Sequence, residues 1–149
     1  MTTIQSTKIA KAKEDQRRSI ISLLQSEKLP TEDLPGSLDN FFVALEGDAI
    51  VAAIGLEQYG NCGLLRSMVV NKEHRNKNIA SGLVKELESE AFTSGIDCIY
   101  LLTETATLYF EKKGYKTVAR HETPEAIKAS SEFKNVCPVS AIVMKKNLN

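Results

Sequence analysis

Residues 71–78 read Asn-Lys-Glu-His-Arg-Asn-Lys-Asn and lie between an apolar run ending at Val70 and a helical pattern beginning near Ile79. A strand that passes through a loop into a helix N-terminus makes an anion site. The first turn's N–H groups have no helical carbonyl to bond, and the helix dipole favours negative charge at that end. Such a loop needs backbone that reaches positive φ, which Gly and Asn allow best, and Asn76 and Asn78 supply it here. Arg75 and Lys77 add cations. Between Arg66 and Lys85 stand five basic residues and one acid, in a chain whose 19 Lys and Arg balance its 19 Asp and Glu. An ordinary polar loop with two turn asparagines fits the same spacing.

A second pair lies upstream. Glu57 and Arg66 flank Gly60-Asn61-Cys62-Gly63, which reads as a hairpin turn. With either Asn61-Cys62 or Gly60-Asn61 as the turn, the two side chains lie across the hairpin within reach of an ion pair. Arg66 sits among Leu64, Leu65, Met68 and Val69, so its charge needs a partner or a wet cleft. Its guanidinium also offers a fork of donors suited to a carboxylate. A structural ion pair and a base or substrate contact both stay open. His74 and His121 are the only histidines, and solvent exposure is expected of His74. Cys62, Cys98 and Cys137 are far apart and odd in number, which makes neither a disulfide framework nor a zinc site. They read as small buried hydrophobes, and no metal is expected.

The elements that must position these residues alternate in type. Residues 5–10 read as a first strand and 14–27 as an amphipathic helix with Ile20, Ile21, Leu23 and Leu24 on one face. Residues 41–45 form a short strand, and 49–59 with 64–70 a hairpin whose strands are apolar on both faces. Ile79, Leu83, Leu87 and Ala91 recur every four residues over the helix 79–92, closed by Ser94-Gly95 with a left-handed cap. Residues 98–103 are a buried strand, 105–113 a short helix ending at Gly114, and 116–121 a further strand. Thr123-Pro124-Glu125 supplies N-cap, first-turn proline and first-turn acid for a helix to about residue 134, and 141–145 close the chain as a strand. The fold class is α/β with a mixed sheet.

Composition excludes several classes. The chain has 149 residues, 42% hydrophobic and 26% charged, which suits one globular domain over residues 1–149. Zero net charge removes the electrostatic case for a nucleic-acid or acidic-membrane partner. The longest apolar run, from Ala49 through Leu56, is far shorter than the ~20 residues of a membrane span. Residues 1–15 hold no apolar stretch of signal-peptide length, so a reduced, cytoplasmic setting is expected.

The loop and helix together resemble a known family. Residues 70–80, VNKEHRNKNIA, look like the acetyl-CoA signature of the GCN5-related N-acetyltransferases (GNAT), a strand followed by Arg/Gln-x-x-Gly-x-Gly/Ala and a long helix. Arg75, Ile79 and Ala80 match, while Asn76 and Asn78 stand where glycines are usual. Residues 109–115, YFEKKGY, are similar to the family's second motif. The stretches LPTEDL (29–34), GLEQYG (55–60), LLRSMVV (64–70), YLLTETA (100–106) and PEAIKASSEFKNVCPVSA (124–141) resemble acetyltransferases of arsenic-resistance operons. The LLT-x-T-A part is also similar to glutamate N-acetyltransferases.

The resemblance implies the GNAT acyl-CoA N-acyltransferase fold, about seven strands flanked by helices, with acetyl-CoA as co-substrate and a small-molecule amine as acceptor. It implies that Met68, Val69 and Val70 run along the pantetheine arm and pair with it like a missing strand. Arg75, Asn76, Lys77, Asn78, Ile79, Ala80 and Ser81 would cradle the pyrophosphate. The amine attacks the thioester directly, so it must arrive deprotonated. Glu57 is the candidate base, Arg66, Thr103 and Thr105 are candidate acceptor contacts, and Thr105 serves equally as a plain helix N-cap. The phenol that often protonates the leaving thiolate is missing, because its position holds Phe110. Tyr109, about 100° round the helix, is the candidate acid or a core aromatic. The helix after Pro124 is read as a cover for the acceptor site, a homodimer face or a partly exposed helix. An arsenite site would need the three cysteines together, which nothing in their spacing provides. Protein N-terminal or lysine acetylation and a non-catalytic acyl-CoA sensor are the alternative functions.

Overall fold

The computed structural model describes residues 7–29, 31, 34, 36–75, 78–104, 106–130 and 141–148. In chain order the elements are β1 (Lys8–Lys11), α1 (Arg17–Ser26), β2 (Phe41–Glu46), β3 (Ala49–Tyr59), β4 (Cys62–Val70), α2 (Ile79–Thr93), β5 (Cys98–Thr103), α3 (Thr107–Lys112), β6 (Lys116–Val118), α4 (Glu125–Lys128) and β7 (Ile142–Asn147). The strands hydrogen-bond in the order β1-β2-β3-β4-β5-β7-β6, the expected mixed sheet of seven. Contacts divide the chain into two compact units. Among the described residues no helix is long and apolar enough to cross a membrane.

The first unit holds β1, α1, β2, β3 to Leu56, β4 from Ser67, and α2 to Ser89. β1 and β3 both pair antiparallel with β2, setting Ile9 against Ala44 and Phe41 against Gly55. Ile20, Leu23 and Leu24 recur at helical spacing, so α1 presents one apolar stripe. That stripe is buried with Phe41, Val43, Ala53 and Val69. Each Ile, Leu, Val or Phe side chain among them contributes about 1.5–3 kcal/mol when fully buried. Two glycines make close packing feasible. A Cβ on Gly55 would lie 2.4 Å from the Phe41 ring, and one on Gly82 would lie 2.8 Å from Ile9 Cδ1.

The second unit holds Glu57–Arg66 and the described chain from Glu90 onward. β5 is its centre and is paired on both edges: parallel to β4, with Cys62, Gly63 and Leu64 opposite Cys98, Ile99 and Tyr100, and antiparallel to β7. Residues 98–101 are buried, as a strand covered on both faces requires. Ile127 of α4 packs with Leu64, Tyr100 and Val143.

Several boundaries differ from the sequence reading. The turn is Gly60-Asn61, with Gly60 at φ 65, so β4 starts at Cys62 rather than at residue 64. β6 stops at Val118, and Arg120–Glu122 form a 3₁₀ turn in place of the expected strand end. Pro124, with extended ψ, is the N-cap of α4 in place of Thr123, whose hydroxyl donates to the Ala119 carbonyl at 3.4 Å. α4 is one turn long, and the rest of the expected helix, residues 131–134, lies outside the described residues. α3 begins at Thr107 with Ala106 as N-cap, later than expected, and Thr105 also lies outside the described residues.

Candidate functional site

In the first unit the loop after β4 is tied down before it reaches α2. The Asn71 N–H donates to the Val51 carbonyl at 2.8 Å, and Asn71 Oδ1 accepts from the Glu73 N–H at 2.9 Å. His74 Nε2 lies 3.0 Å from Glu46 Oε2, and its Nδ1 is buried without a hydrogen-bond partner among the described residues. The expected solvent exposure of His74 is therefore wrong: its side chain is only 13% exposed, held by the acid that ends β2. Arg75 pairs through Nη2 with Glu27, at the C-terminal end of α1. Half of the Arg75 side chain faces solvent, so this pair contributes at most about 1 kcal/mol and can yield to a stronger anion.

Asn78 takes φ 62, the left-handed conformation read from its residue type. Its carbonyl accepts the Gly82 N–H at 3.1 Å, the first bond of α2's ladder. The N–H groups of Ile79, Ala80 and Ser81 belong to the first turn of α2, before that bond. Ile79 is buried, Ala80 and Ser81 are half-buried, and Asn76 and Lys77 lie outside the described residues. The first-turn donors, the 15-residue helix dipole and Arg75 make this end of α2 chemically suited to a phosphate.

β4 enters this unit through a feature the sequence did not announce. Ser67 has φ 56 in mid-strand, an uncommon geometry for a residue with a Cβ and one that carries strain of order 1–3 kcal/mol. Serine is not among the residues that signal left-handed backbone, so residue type could not reveal it. Beyond it Met68 and Val70 are half-buried, while Val69 is a core side chain, leaving its backbone as the polar group it can offer a ligand.

In the second unit the Gly60-Asn61 turn makes Glu57 and Arg66 diagonal neighbours, one of the two registers left open. Arg66 Nη1 donates to Glu57 Oε2 at 2.6 Å, with the Arg66 side chain 1% exposed and that of Glu57 19%. The Tyr59 hydroxyl donates to Glu57 Oε1 at 2.6 Å. Burial, then the hydrogen bond and the charge of Glu57, push the Tyr59 phenol up to about 12, so it stays a donor at neutral pH. Sequence reading missed Tyr59, although its place two residues after Glu57 puts both on one face of β3. Arg66 is partnered rather than set in a wet cleft. Its Nη1 is engaged in holding Glu57.

Thr103 Oγ1 accepts the Ala106 N–H at 2.9 Å, so this hydroxyl shapes the turn after β5. Phe110 is buried, edge-on to Tyr115 with ring centroids 5.5 Å apart. Tyr109 packs edge-on against Phe110 at 5.2 Å and carries Lys113 Nζ 5.4 Å from its ring centre. One expectation fails outright. Cys62 and Cys98 are not apart: their sulfurs lie 3.0 Å from one another, because the parallel register sets the two residues side by side. Their sulfurs and an Asp97 carboxylate oxygen all fall within 4.8 Å. Cys137 lies outside the described residues.

The sheet has seven strands of mixed direction, the end of α2 is suited to a phosphate, and comparison with known proteins names the family. The chain belongs to the acetyltransferase (GNAT) domain family, whose model matches residues 37–117. It is 27% identical over 101 residues to an uncharacterized N-acetyltransferase of Chlorobaculum tepidum, covering 67% of this chain and 64% of that one. The N-acetylglutamate synthase of Neisseria gonorrhoeae, solved with coenzyme A and L-arginine, superposes with a TM-score of 0.82 at 16% identity, over 96% of this chain and 33% of that chain. A GNAT-family acetyltransferase of Staphylococcus aureus Mu50 gives 0.77 at 21% identity, over 97% of this chain and its own whole length. The chain thus spans about two thirds of its curated relative and a third of the synthase.

Proposed function

We propose that this chain transfers the acetyl group of acetyl-CoA to the amine of a small, amino-acid-like acceptor, with residues 1–149 acting as one domain. The observation that carries the reading is Asn78. It holds left-handed backbone at the N-terminus of α2, inside the segment matched by the acetyltransferase family. In this reading the N–H groups of Ile79, Ala80 and Ser81, with Arg75, Asn76, Lys77 and Asn78, hold the pyrophosphate, and Arg75 exchanges Glu27 for it. The backbone of Met68, Val69 and Val70 pairs with the pantetheine arm.

Glu57 is the base that takes the amine's proton, directly or through water, and Arg66 and Tyr59 fix its two oxygens. Arg66 serves as a positioning residue, because its buried side chain leaves it a poor first contact for an acceptor. Thr103 and Thr105 are the proposed acceptor contacts. With Phe110 unable to donate a proton, water protonates the departing thiolate and Tyr109 is a packing residue.

An amino-acid-like acceptor is supported by the LLT-x-T-A similarity and by the likeness in fold to an N-acetylglutamate synthase. The arsenic-operon similarity adds no acceptor of its own. Thiol release on mixing the protein with acetyl-CoA and a panel of amines tests the reading. Amino acids should be acetylated faster than polyamines, aryl amines or peptides. Phe110 favours one other reading, an acyl-CoA-binding sensor, and thiol release with none of the amines would select it.

A further inference from the structure

Cys62 and Cys98 have no part in the proposed transfer, yet they form a pair with its own chemistry. They are register partners at the ends of β4 and β5, 36 residues apart in sequence. Paired residues on neighbouring strands sit ~4.8 Å apart, inside the ~4.4–6.8 Å between Cα atoms that a disulfide spans. The surrounding backbone is fixed: the Asp97 N–H donates to the Asn61 carbonyl at 2.9 Å, and Asn61 Nδ2 donates to the Asp97 carboxylate at 3.0 Å. The sulfur separation of 3.0 Å decides between two uses of the pair. A disulfide needs the sulfurs to close to ~2.05 Å. A tetrahedral zinc would hold two thiolates roughly 3.8 Å apart, forcing them away from each other.

We propose that Cys62 and Cys98 are a thiol–disulfide exchange site that is oxidised by low-molecular-weight disulfides. Cys62 is half-buried and Cys98 buried, so Cys62 is the more accessible sulfur and the point of entry. Its thiolate attacks one sulfur of the small disulfide. That S–S bond breaks, one small thiolate leaves and takes up the proton that Cys62 gave, and a mixed disulfide remains on Cys62. Cys98 then loses its proton and attacks the Cys62 sulfur, and the second small thiolate leaves and is protonated. Two protein thiols are oxidised by two electrons, and one small disulfide is reduced to two thiols. Burial and the neighbouring Cys62 sulfur push the Cys98 thiol up to about 12, while Lys145 opposes that shift. The second step is therefore the slow one and quickens as pH rises.

The test treats the full chain with oxidised glutathione, followed by intact mass and peptide mapping without reductant. The wild type should lose the mass of two hydrogens, join the Cys62 and Cys98 peptides, and gain several degrees in melting temperature, reversed by dithiothreitol. Cys98→Ser should accumulate a stable glutathione adduct on Cys62, and Cys62→Ser should form neither adduct nor link at these positions. A wild type that keeps the adduct as Cys98→Ser does, a link to Cys137 instead, or tight one-to-one zinc binding that blocks the exchange would each overturn the proposal.

Discussion

Asn78 couples the type of a single residue to the shape of the backbone around it. Asparagine tolerates left-handed backbone, the family resemblance put it at a position that needs it, and its φ is 62. Ser67 adopts nearly the same angle, yet nothing in its type or neighbours announced it, because strain in a strand is imposed by its surroundings. The Asn78 geometry makes a two-sided prediction. Asn78→Gly keeps the angle at no steric cost and should bind CoA as the wild type does. Asn78→Val resists positive φ and should weaken CoA binding about tenfold, or ~1.4 kcal/mol, with the melting temperature little changed. Calorimetric titration with CoA checks both.

Glu57 belongs to the same scale. Its partnership with Arg66 was readable from hairpin arithmetic alone, but the choice between ion pair and base was not. The burial of Arg66 answers for the arginine, while the base remains the proposed role of the carboxylate. Arg66→Met should destabilise the protein by about 3 kcal/mol, since it leaves a half-buried carboxylate with Tyr59 alone. Adding Glu57→Gln should restore much of that stability but not acetyl transfer. Urea melts and initial rates on the wild type and these two variants separate the structural role from the chemical one.

At the scale of elements, the helices and strands with clear periodicity were legible within a few residues, and α2 with its Gly95 cap is the best case, with φ 90 at the glycine. The one-turn α4 was not, since a Thr-Pro-Glu start signal sets where a helix opens and says little about how far tertiary packing lets it run. The meeting of Cys62 with Cys98 could not be read either. It follows from parallel strand pairing across a whole helix, which no local pattern encodes. Close packing between elements gives the prediction here. Gly55→Ala puts a methyl group 2.4 Å from the Phe41 ring, on backbone fixed by β2, and should cost about 1–3 kcal/mol. Gly82→Ala meets only the tip of Ile9, which can rotate away, and alanine gains about 1 kcal/mol of helix propensity. Its stability should stay level or rise. Parallel denaturant melts of the two variants make the comparison.

For the whole molecule, several buried acids point the same way in pH. Burial raises Tyr59 to about 12 from 10.0, Cys98 to about 12 from 9.0, and Tyr100 above 10.0. The unfolded chain loses these protons first, so their contribution is fully present below about pH 9 and is lost as pH climbs toward 12. Unfolding free energy should therefore fall across that window, and Tyr59→Phe should make the fall shallower. The fold itself was legible in outline from two motifs in order along the chain, while the acceptor was not, because one fold can host many functions and the choice lies in the local contacts of the site. The most direct test of the central claim follows the acetyl group itself. The protein would be incubated with acetyl-CoA labelled in its acetyl carbons and an equimolar mixture of amino acids, polyamines and aryl amines, and the products read by mass spectrometry. The account predicts label on the nitrogen of an amino acid, with one equivalent of CoA thiol released for each amine acetylated. CoA bound by calorimetry with no amine labelled, or label on polyamines or aryl amines alone, would contradict it.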